Sequence, residues 1–311
     1  MKLSVVTTVY QSSEHIIEFY HRMSKVAKKV SKDDYEIIFV NDGSTEKDLE
    51  MISQLSLSDH HLVTIDLSRN FGHHQALLIG IKESSGDSVF LIDSDLEEEP
   101  EWLELFCNEA KNLKDVDIFL GQQIKRRGNF FERLPGQIFF FVVKTFLDRR
   151  IISNVTTASL MTRRYVSSLI KFEEVDVNLA TLIILNGYKK KIIKVTKNLS
   201  SKSTYTLLHK LNILLNTITT LSSKPLTFIF VTGMIISFTS FLFLTYIIIQ
   251  KQLMDISIDG WTSLIVSIWF IGGVLMLFLG IIGFYLHKIF LETKKRPQSI
   301  IRNTIKNKKI T

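Results

Sequence analysis

The chain has 311 residues, of which 46% are hydrophobic, and a formal net charge of +7 at pH 7. This length predicts one sizeable domain with an addition, or two small domains. A single cysteine, Cys107, excludes an intrachain disulfide. Much of the excess positive charge follows the last apolar run, so we interpret it as a signal of membrane topology and expect no nucleic-acid binding.

The first 120 residues alternate apolar strands with helical patterns. Strands are predicted at 3–9, 35–40, 62–67, 88–92 and 116–120, and helical periodicity is seen at 16–30, 73–82 and 102–113. The strands are near-continuous runs of Val, Ile and Phe, which is typical of a sheet covered by helices on both faces. The alternation predicts a doubly wound α/β domain, whose ligands bind beyond the carboxyl ends of the strands.

An acidic motif, Asp93-Ser94-Asp95, follows the fourth predicted strand. In an extended segment the two carboxylates would point to one face and repel each other unless a cation lies between them. A divalent ion such as Mg²⁺ or Mn²⁺, which also binds substrate phosphates, fits this pattern, and Glu97 could add a ligand. The alternative is a solvated acidic loop, because Glu98 and Glu99 continue the charge run.

A second acid, Asp42, follows the second predicted strand and precedes Gly43, which permits a tight turn. Its carboxylate could accept hydrogen bonds from the base or ribose of a nucleotide. The alternative is an Asx-turn or a helix cap. The region contains neither a Gly-x-Gly-x-x-Gly motif nor a phosphate-binding lysine loop, so dinucleotide-binding and P-loop folds are excluded.

Basic residues after the fifth strand and near residue 200 are candidates for binding a diphosphate or a lipid phosphate. These are Lys125, Arg126, Arg127 and Lys202. A basic rim that attracts anionic headgroups is an equally consistent interpretation. The pairs His60-His61 and His73-His74 lack the spacing of most zinc sites, and we interpret them as structural or surface residues.

Two long apolar runs occupy the last third of the chain. Residues 226–249 and 261–286 contain no charged residue, and each exceeds the roughly 20 residues that a helix needs to cross about 30 Å of hydrocarbon. Buried core helices are the alternative, but two such runs in succession are hard to bury in a domain of this size. They predict a transmembrane hairpin of two helices with both ends on one side.

Charge near these runs predicts the orientation. The tail at 287–311 is rich in Lys and Arg, whereas the short loop between the runs carries Lys251 against Asp255 and Asp259. The positive-inside rule therefore predicts a multi-pass protein of the cytoplasmic membrane, with the tail and the domain at residues 1–200 in the cytoplasm.

Two further segments combine apolar with polar or basic residues, namely residues 130–147 and 201–225. Each is predicted to be an amphipathic helix at the membrane interface, and an ordinary surface helix is the alternative. Their positions before the apolar runs favour the membrane.

Several segments together resemble family 2 glycosyltransferases of the polyprenyl-phosphate type, which include dolichol-phosphate mannosyltransferases and bactoprenol glucosyltransferases. The matching segments are Tyr35–Ser44, Leu67–Gly72, Asp93–Glu97 and Lys295–Pro297. The resemblance covers nearly the whole chain and implies a GT-A fold, a nucleotide-sugar donor, a divalent cation and a polyprenyl-phosphate acceptor. It further implies inverting displacement at C1 of the sugar and a homo-oligomer, namely a tetramer.

The resemblance also implies roles for individual residues. Asp93, Asp95 and Glu97 match the metal-binding motif, and the two aspartates are the catalytic candidates. Asp42 matches the nucleotide-binding acid of the usual Asp-Asp-Gly-Ser. Thr8 and Tyr10 match the first-strand loop that lines the base.

The chain departs from the family pattern at three places. Asn41 replaces the first aspartate of its pair, and residues 8–12 read Thr-Val-Tyr-Gln-Ser where the family usually has Pro-Val-Tyr-Asn-Glu. The stretch Asn154–Leu160 contains no acid where the family often has an aspartate. Asn154 can form hydrogen bonds but cannot take a proton, whereas a phosphate acceptor is already ionised near neutral pH and needs no strong base.

Two alternative functions stay open at this point. The acceptor could be another membrane glycolipid, with the helices serving as an anchor. The chain could also be an inactive subunit that binds sugar-nucleotide or lipid. The acid-free stretch favours the inactive subunit, and the retained acidic motifs argue against it.

Overall fold

The computed structural model describes residues 2–124, 154–172, 179–197, 224–254 and 260–307. The chain forms two compact units. The first comprises Met1–Glu132, Arg150–Thr204 and Arg296–Thr311, and the second comprises Arg133–Arg149 and Tyr205–Lys295.

Strands and helices alternate through most of the first unit. The strands are β1 (Leu3–Val9), β2 (Tyr35–Asn41), β3 (Leu62–Leu67), β4 (Ser88–Leu91), β5 (Ile118–Gln123), β6 (Val155–Thr162), β7 (Lys190–Val195) and β8 (Ile301–Lys306). The helices are α1 (Ile16–Ser31), α2 (Glu46–Ser58), α3 (His73–Glu83), α4 (Trp102–Asn112), α5 (Arg163–Leu169) and α6 (Leu179–Leu185).

These strands form one mixed sheet in the order β7-β5-β6-β4-β1-β2-β3-β8. The predicted α/β class is confirmed, and β4, β1, β2 and β3 are parallel neighbours. The sheet is not doubly wound throughout, because β6 runs antiparallel to both β4 and β5, and β8 runs antiparallel to β3. Neither β6 nor β8 is predicted from sequence, since Thr and Ser in β6 and polar residues in β8 interrupt the apolar pattern.

Successive residues of the central strands alternate between the two faces of the sheet. Phe39 and Phe90 face α1 and α4, and they pack against Phe19 and Phe106 in edge-to-face contacts. The opposite face packs against α3 and α5. Helices therefore cover both faces, as the unbroken apolar strands predict, and each fully buried large side chain contributes roughly 1.5–3 kcal/mol to stability.

The second unit contains two long helices, α7 (Lys224–Met254) and α8 (Trp261–Thr293). Among the described residues, one stretch is long and apolar enough to cross a membrane, Ile271–Thr293, and none of its most apolar part is buried. The apolar stretch found in α7, Leu226–Ile236, is shorter than a span requires. The predicted two-helix transmembrane hairpin and multi-pass topology are therefore not confirmed.

The predicted basic tail at 287–311 contains regular structure. Helix α8 continues beyond residue 286 to Thr293, and β8 returns to the first unit as an edge strand. A tail boundary placed at the end of the apolar run misses both, because neither a polar helix end nor a polar edge strand carries an apolar signal. The predicted interfacial helices at 130–147 and 201–225 lie outside the described residues, apart from the first turn of α7.

Candidate active site

The candidate site lies at the carboxyl ends of the parallel strands β1, β2 and β4, the edge where ligands of α/β sheets bind. Thr8 lies near the end of β1, the turn Asn41–Ser44 follows β2, and the acidic loop Asp93–Glu98 follows β4. The hydroxyl of Ser94 donates to the carbonyl of Thr8 at 2.8 Å. This bond ties the acidic loop to β1.

Asp42 is held by backbone amides. Its carboxylate is almost fully buried, and its oxygens accept hydrogen bonds from the N–H groups of Phe71 (2.7 Å) and Gly72 (3.0 Å). These amides belong to the loop between β3 and α3. Each carboxylate oxygen has a second lone pair, so Asp42 can still accept a bond from a ligand.

The turn after β2 requires a glycine. Gly43 has a φ of 65°, in the left-handed region, and a Cβ placed there would lie 2.3 Å from the amide nitrogen of Asn70. The loop between β3 and α3 therefore packs directly on the backbone of the Asp42 turn. This close approach brings the amides of Phe71 and Gly72 within reach of the carboxylate.

His73 links two parts of the site. Its Nδ1 lies 3.0 Å from the hydroxyl of Thr8, and its Nε2 lies 3.5 Å from Oδ1 of Asp93. Partial burial lowers the pKa of His73, and the nearby carboxylates of Asp42 and Asp95 oppose this effect. The sequence interpretation of this histidine as a structural or surface residue misses its place in the site.

The acidic loop is a turn and not the extended segment that the sequence reasoning assumes. Leu96 has a φ of 60°, and Oδ1 of Asp95 accepts a hydrogen bond from the backbone N–H of Glu97 at 3.0 Å. Asp95 still lies close to Asp93, because its negative charge adds to burial, the larger cause, in raising the pKa of Asp93. Glu98, in contrast, points into the protein and is fully buried.

A buried ion-pair network surrounds Asp93 and Glu98. Nζ of Lys197, just after β7, lies 2.9 Å from Oε1 of Glu98 and 3.9 Å from Oδ2 of Asp93. Thr157 of β6 donates its hydroxyl to Asp93 (2.8 Å) and its backbone N–H to Glu98 (3.0 Å). The network therefore joins β4, β6 and β7 through two carboxylates.

Burial dominates the electrostatics of this network. It raises the pKa of Asp93 to about 6 and that of Glu98 to about 7, while the ammonium of Lys197 opposes both shifts. Burial also acts to lower the pKa of Lys197, but the neighbouring carboxylates outweigh it and the pKa lies above its ordinary value. One lysine thus offsets two carboxylates that are costly to bury.

The oxygen atoms left over fit a divalent cation. Within the described part of the chain, Oδ1 of Asp93 and Oε2 of Glu98 are buried and accept no hydrogen bond. A hard ion such as Mg²⁺ or Mn²⁺ binds carboxylate oxygens and keeps several waters. The unsatisfied oxygen of Asp93 and the partly exposed carboxylate of Asp95 offer such ligands, so the residues present fit the predicted metal.

The other predicted residues differ in placement. Tyr10 follows β1 and is 48% exposed. Asn154 is exposed at the start of β6 with a φ of 58°, and its carbonyl accepts a bond from the N–H of Gln123. Lys125, Arg126, Arg127 and Lys202 lie outside the described residues.

Sequence reasoning misses four residues of the site. They are His73, Glu98, Thr157 and Lys197. Glu98 is hidden in a run of three glutamates, and Lys197 closes a lysine-rich stretch, so neither differs in pattern from solvated charge. Of the four, only Thr157 lies in a segment that the sequence singles out, namely Asn154–Leu160, where the family often has an aspartate.

Comparison with known proteins shows which family the chain belongs to. A family model described as glycosyl transferase family 2 matches residues 4–170. A protein of Mycobacterium tuberculosis (strain CDC 1551 / Oshkosh), named putative glycosyltransferases, is 39% identical over 97% of this chain and 88% of its own length. The bactoprenol glucosyl transferase of Shigella phage SfV is 28% identical over 97% of this chain and 99% of its own.

Two further proteins are similar. The prophage bactoprenol glucosyl transferase homolog of Escherichia coli (strain K12) is 27% identical over 98% of this chain and all of its own length. A crystal structure of S. aureus TarS residues 1–349 with UDP-GlcNAc has a TM-score of 0.49 at 19% identity, covering 71% of this chain and 66% of that chain. Because the family model matches more than half of its residues, the chain belongs to glycosyl transferase family 2 and is a glycosyltransferase.

Proposed function

We propose that the protein transfers a sugar from a nucleotide-sugar to a polyprenyl phosphate at the cytoplasmic face of a membrane. The observation that carries this proposal is the meeting of Asp42 and the Asp93–Glu98 loop at one sheet edge, in a chain similar over its whole length to bactoprenol glucosyl transferases. The product would be a lipid-linked sugar for modification of a cell-envelope glycan or lipid.

The donor nucleotide would bind over β1 and β2. Asp42 has a fixed orientation and free lone pairs, so its carboxylate would accept hydrogen bonds from the base or ribose. Thr8 is oriented by His73, and the exposed ring of Tyr10 offers a surface on which the base can stack.

The diphosphate would lie near the acidic loop. Asp93 and Asp95, with Glu97 as a further candidate, would hold Mg²⁺ or Mn²⁺, and the bound ion would neutralise charge on the leaving diphosphate. The ammonium of Lys197 and the hydroxyl of Thr157 contact the Asp93 carboxylate and orient it. The protein's own task is then to keep this carboxylate ionised and correctly aimed in a buried setting.

The acceptor phosphate would be the nucleophile that displaces the nucleotide with inversion at C1. This phosphate is already ionised near neutral pH, so positioning and desolvation can suffice without a protein base. The absence of an acid at Asn154 is compatible with that mechanism. Lys125, Arg126, Arg127 and Lys202 remain the candidates for holding the acceptor phosphate, and a homo-oligomer remains the expected assembly.

A transfer assay tests this function directly. Membranes containing the protein are incubated with Mg²⁺ or Mn²⁺, undecaprenyl phosphate and a panel of radiolabelled UDP-, GDP- and TDP-sugars, and label in the organic phase is counted. We expect label that depends on acceptor and metal and falls about a thousandfold or more in Asp95→Asn. The control is Glu50→Gln, an equivalent change at an exposed site on α2, which should leave transfer unchanged.

Other outcomes point elsewhere. Label that appears with a different lipid and not with undecaprenyl phosphate would indicate another glycolipid acceptor. No transfer from any donor, by folded protein that still binds a nucleotide-sugar, would indicate the binding-subunit alternative and contradict the proposed activity.

A further inference from the structure

The last strand of the sheet, β8, follows the second unit in sequence. β8 pairs antiparallel with β3 and forms one edge of the sheet, with Asp66 opposite Asn303 and Leu67 opposite Ile301. It follows the candidate span Ile271–Thr293 after a few residues. The sheet of the first unit is therefore completed by residues that follow the second unit in sequence.

The same segment holds the loop that binds Asp42. The carbonyl of Ile300 accepts a bond from the N–H of Ser68 at 2.9 Å, and Nη2 of Arg302 donates to the carbonyl of Ser68 at 2.9 Å. Three residues later in that loop, the amides of Phe71 and Gly72 bind the Asp42 carboxylate. The loop is thus fixed at one end by β8 and at the other by the donor site.

A second connection runs through side chains. Asp66 has a side chain only 4% exposed, and Nε of Arg302 lies 3.6 Å from its Oδ2. The other oxygen accepts a bond from Nδ2 of Asn41 at 2.7 Å, and Oδ1 of Asn41 accepts from the N–H of Ser44 at 3.1 Å. Arg302, Asp66 and Asn41 therefore form a relay that ends in the turn that carries the nucleotide acid.

This relay explains the departure at Asn41. An aspartate at that position would place a second carboxylate within hydrogen-bonding distance of the buried Asp66, and the two would repel each other. The amide instead donates to Asp66 with one end and accepts from the turn with the other. Only a neutral side chain with both a donor and an acceptor satisfies both neighbours.

We propose that β8 is a positioning element of the donor site and that Arg302 is its principal positioning residue. The guanidinium neutralises Asp66, which fixes Asn41 and the Asp42 turn, while the strand holds Ser68 and so the amides that orient Asp42. This inference rests on the proposed role of Asp42 in nucleotide binding. It predicts that donor binding depends on Arg302, a residue beyond the candidate span, which acts through Asp66 and Ser68.

The test measures nucleotide binding by the full chain purified in detergent. UDP, GDP and TDP are titrated into the wild type, Arg302→Met, Arg302→Lys and the control Lys306→Met, which removes an exposed charge from the same strand. We expect Arg302→Met to raise the Kd of the preferred nucleotide about fivefold, Arg302→Lys less, and Lys306→Met not at all. In the transfer assay, the KM for the donor should rise in Arg302→Met. Its kcat and its KM for the acceptor should not change.

A second set of variants tests the relay without Arg302. Asn41→Asp should weaken nucleotide binding by a similar factor, and Asn41→Asp combined with Asp66→Asn should recover much of it, because one acid and one amide again face each other. An unchanged Kd and donor KM in Arg302→Met, with a wild type that binds, would overturn this inference alone. A wild type that binds none of the three nucleotides would overturn the proposed function and the inference with it.

Discussion

Two acids at one edge of the sheet are held in opposite ways. Asp42 is bound by backbone amides of a loop, whereas Asp93 is bound by side chains, namely Thr157 and Lys197, in a network that includes a second buried carboxylate, Glu98. Backbone amides are present whatever the side chains are. The ion-pair network, in contrast, exists only while its positive and negative charges match.

Because the two acids are held differently, different substitutions should disturb each of them. A substitution near Asp42 disturbs its orientation if it moves the loop or the turn, for example at Gly43, where the backbone leaves no room for a Cβ. A substitution in the Asp93 network removes a charge from the protein interior and leaves its partner unpaired, which is among the most costly single changes.

Loss of the lysine should have the largest effect. Lys197→Met leaves the buried Glu98 and the partly buried Asp93 without their ammonium partner. We expect a destabilisation of about 3 kcal/mol or more, together with a large loss of transfer. Thermal unfolding of the purified protein measures the first effect, and the transfer assay measures the second. Lys194→Met, which removes an exposed lysine from β7, is the matched control.

A compensating change sharpens this prediction. In Lys197→Met combined with Glu98→Gln, the buried carboxylate that lost its partner is gone, so much of the stability should return. Stability that stays low in the double variant would contradict the charge-balance account and would indicate that the aliphatic chain of Lys197 matters more than its ammonium.

The acid bound by amides should respond differently. Asp42→Asn keeps the shape but can accept only one of the two N–H bonds, from Phe71 or Gly72, since its NH₂ end is a donor. We expect a loss of about 1–2 kcal/mol in stability and a rise of about tenfold in the donor KM, which corresponds to about 1.4 kcal/mol.

The measurement pairs thermal unfolding with donor titration, and Glu50→Gln again serves as the control. Because the partners of Asp42 are backbone groups, a second substitution cannot restore the balance as Glu98→Gln does for Lys197. A donor KM equal to that of the wild type would show that the Asp42 carboxylate only orders its loop.

The surroundings of Asp42 could largely be predicted from the sequence, whereas the network around Asp93 could not. The apolar runs predict the parallel strands β1 to β4, and the rule that ligands bind at their carboxyl ends places Asp42 and Asp93 together. The Gly43 turn is also predicted from its sequence. These features depend on local pattern and on parallel topology, which a single sequence reveals.

The network around Asp93 depends on long-range pairing that a sequence does not show. Thr157 and Lys197 reach the site because β6 inserts antiparallel beside β4, and β7 follows at the far side of β5. β8 is hidden for the same reason, since a polar edge strand has no apolar face to reveal it. Charged residues that pair inside a protein look, in sequence, like charged residues in solvent.

The smallest expected effect concerns Asn154, which lies in the stretch where the family often has an aspartate. Asn154→Gly removes the amide while keeping the left-handed backbone that a φ of 58° requires. Its carbonyl bond to Gln123 is a backbone contact and should persist. Since the proposed nucleophile is an ionised phosphate, we expect kcat to change less than about twofold.

Thr157→Val, three residues further along, provides the contrast. It removes the hydroxyl bond to Asp93 at constant shape and should lower transfer by about fivefold or more. Both variants are compared in the same transfer assay at saturating donor and acceptor. If Asn154→Gly were the more damaging change, the exposed amide would have to act on the reacting groups, and a mechanism in which the phosphate needs no help from this position would be wrong. If Thr157→Val is the more damaging change, the segment Asn154–Leu160 contributes by orienting Asp93. The aspartate that the family often has in this segment is then not needed as a base.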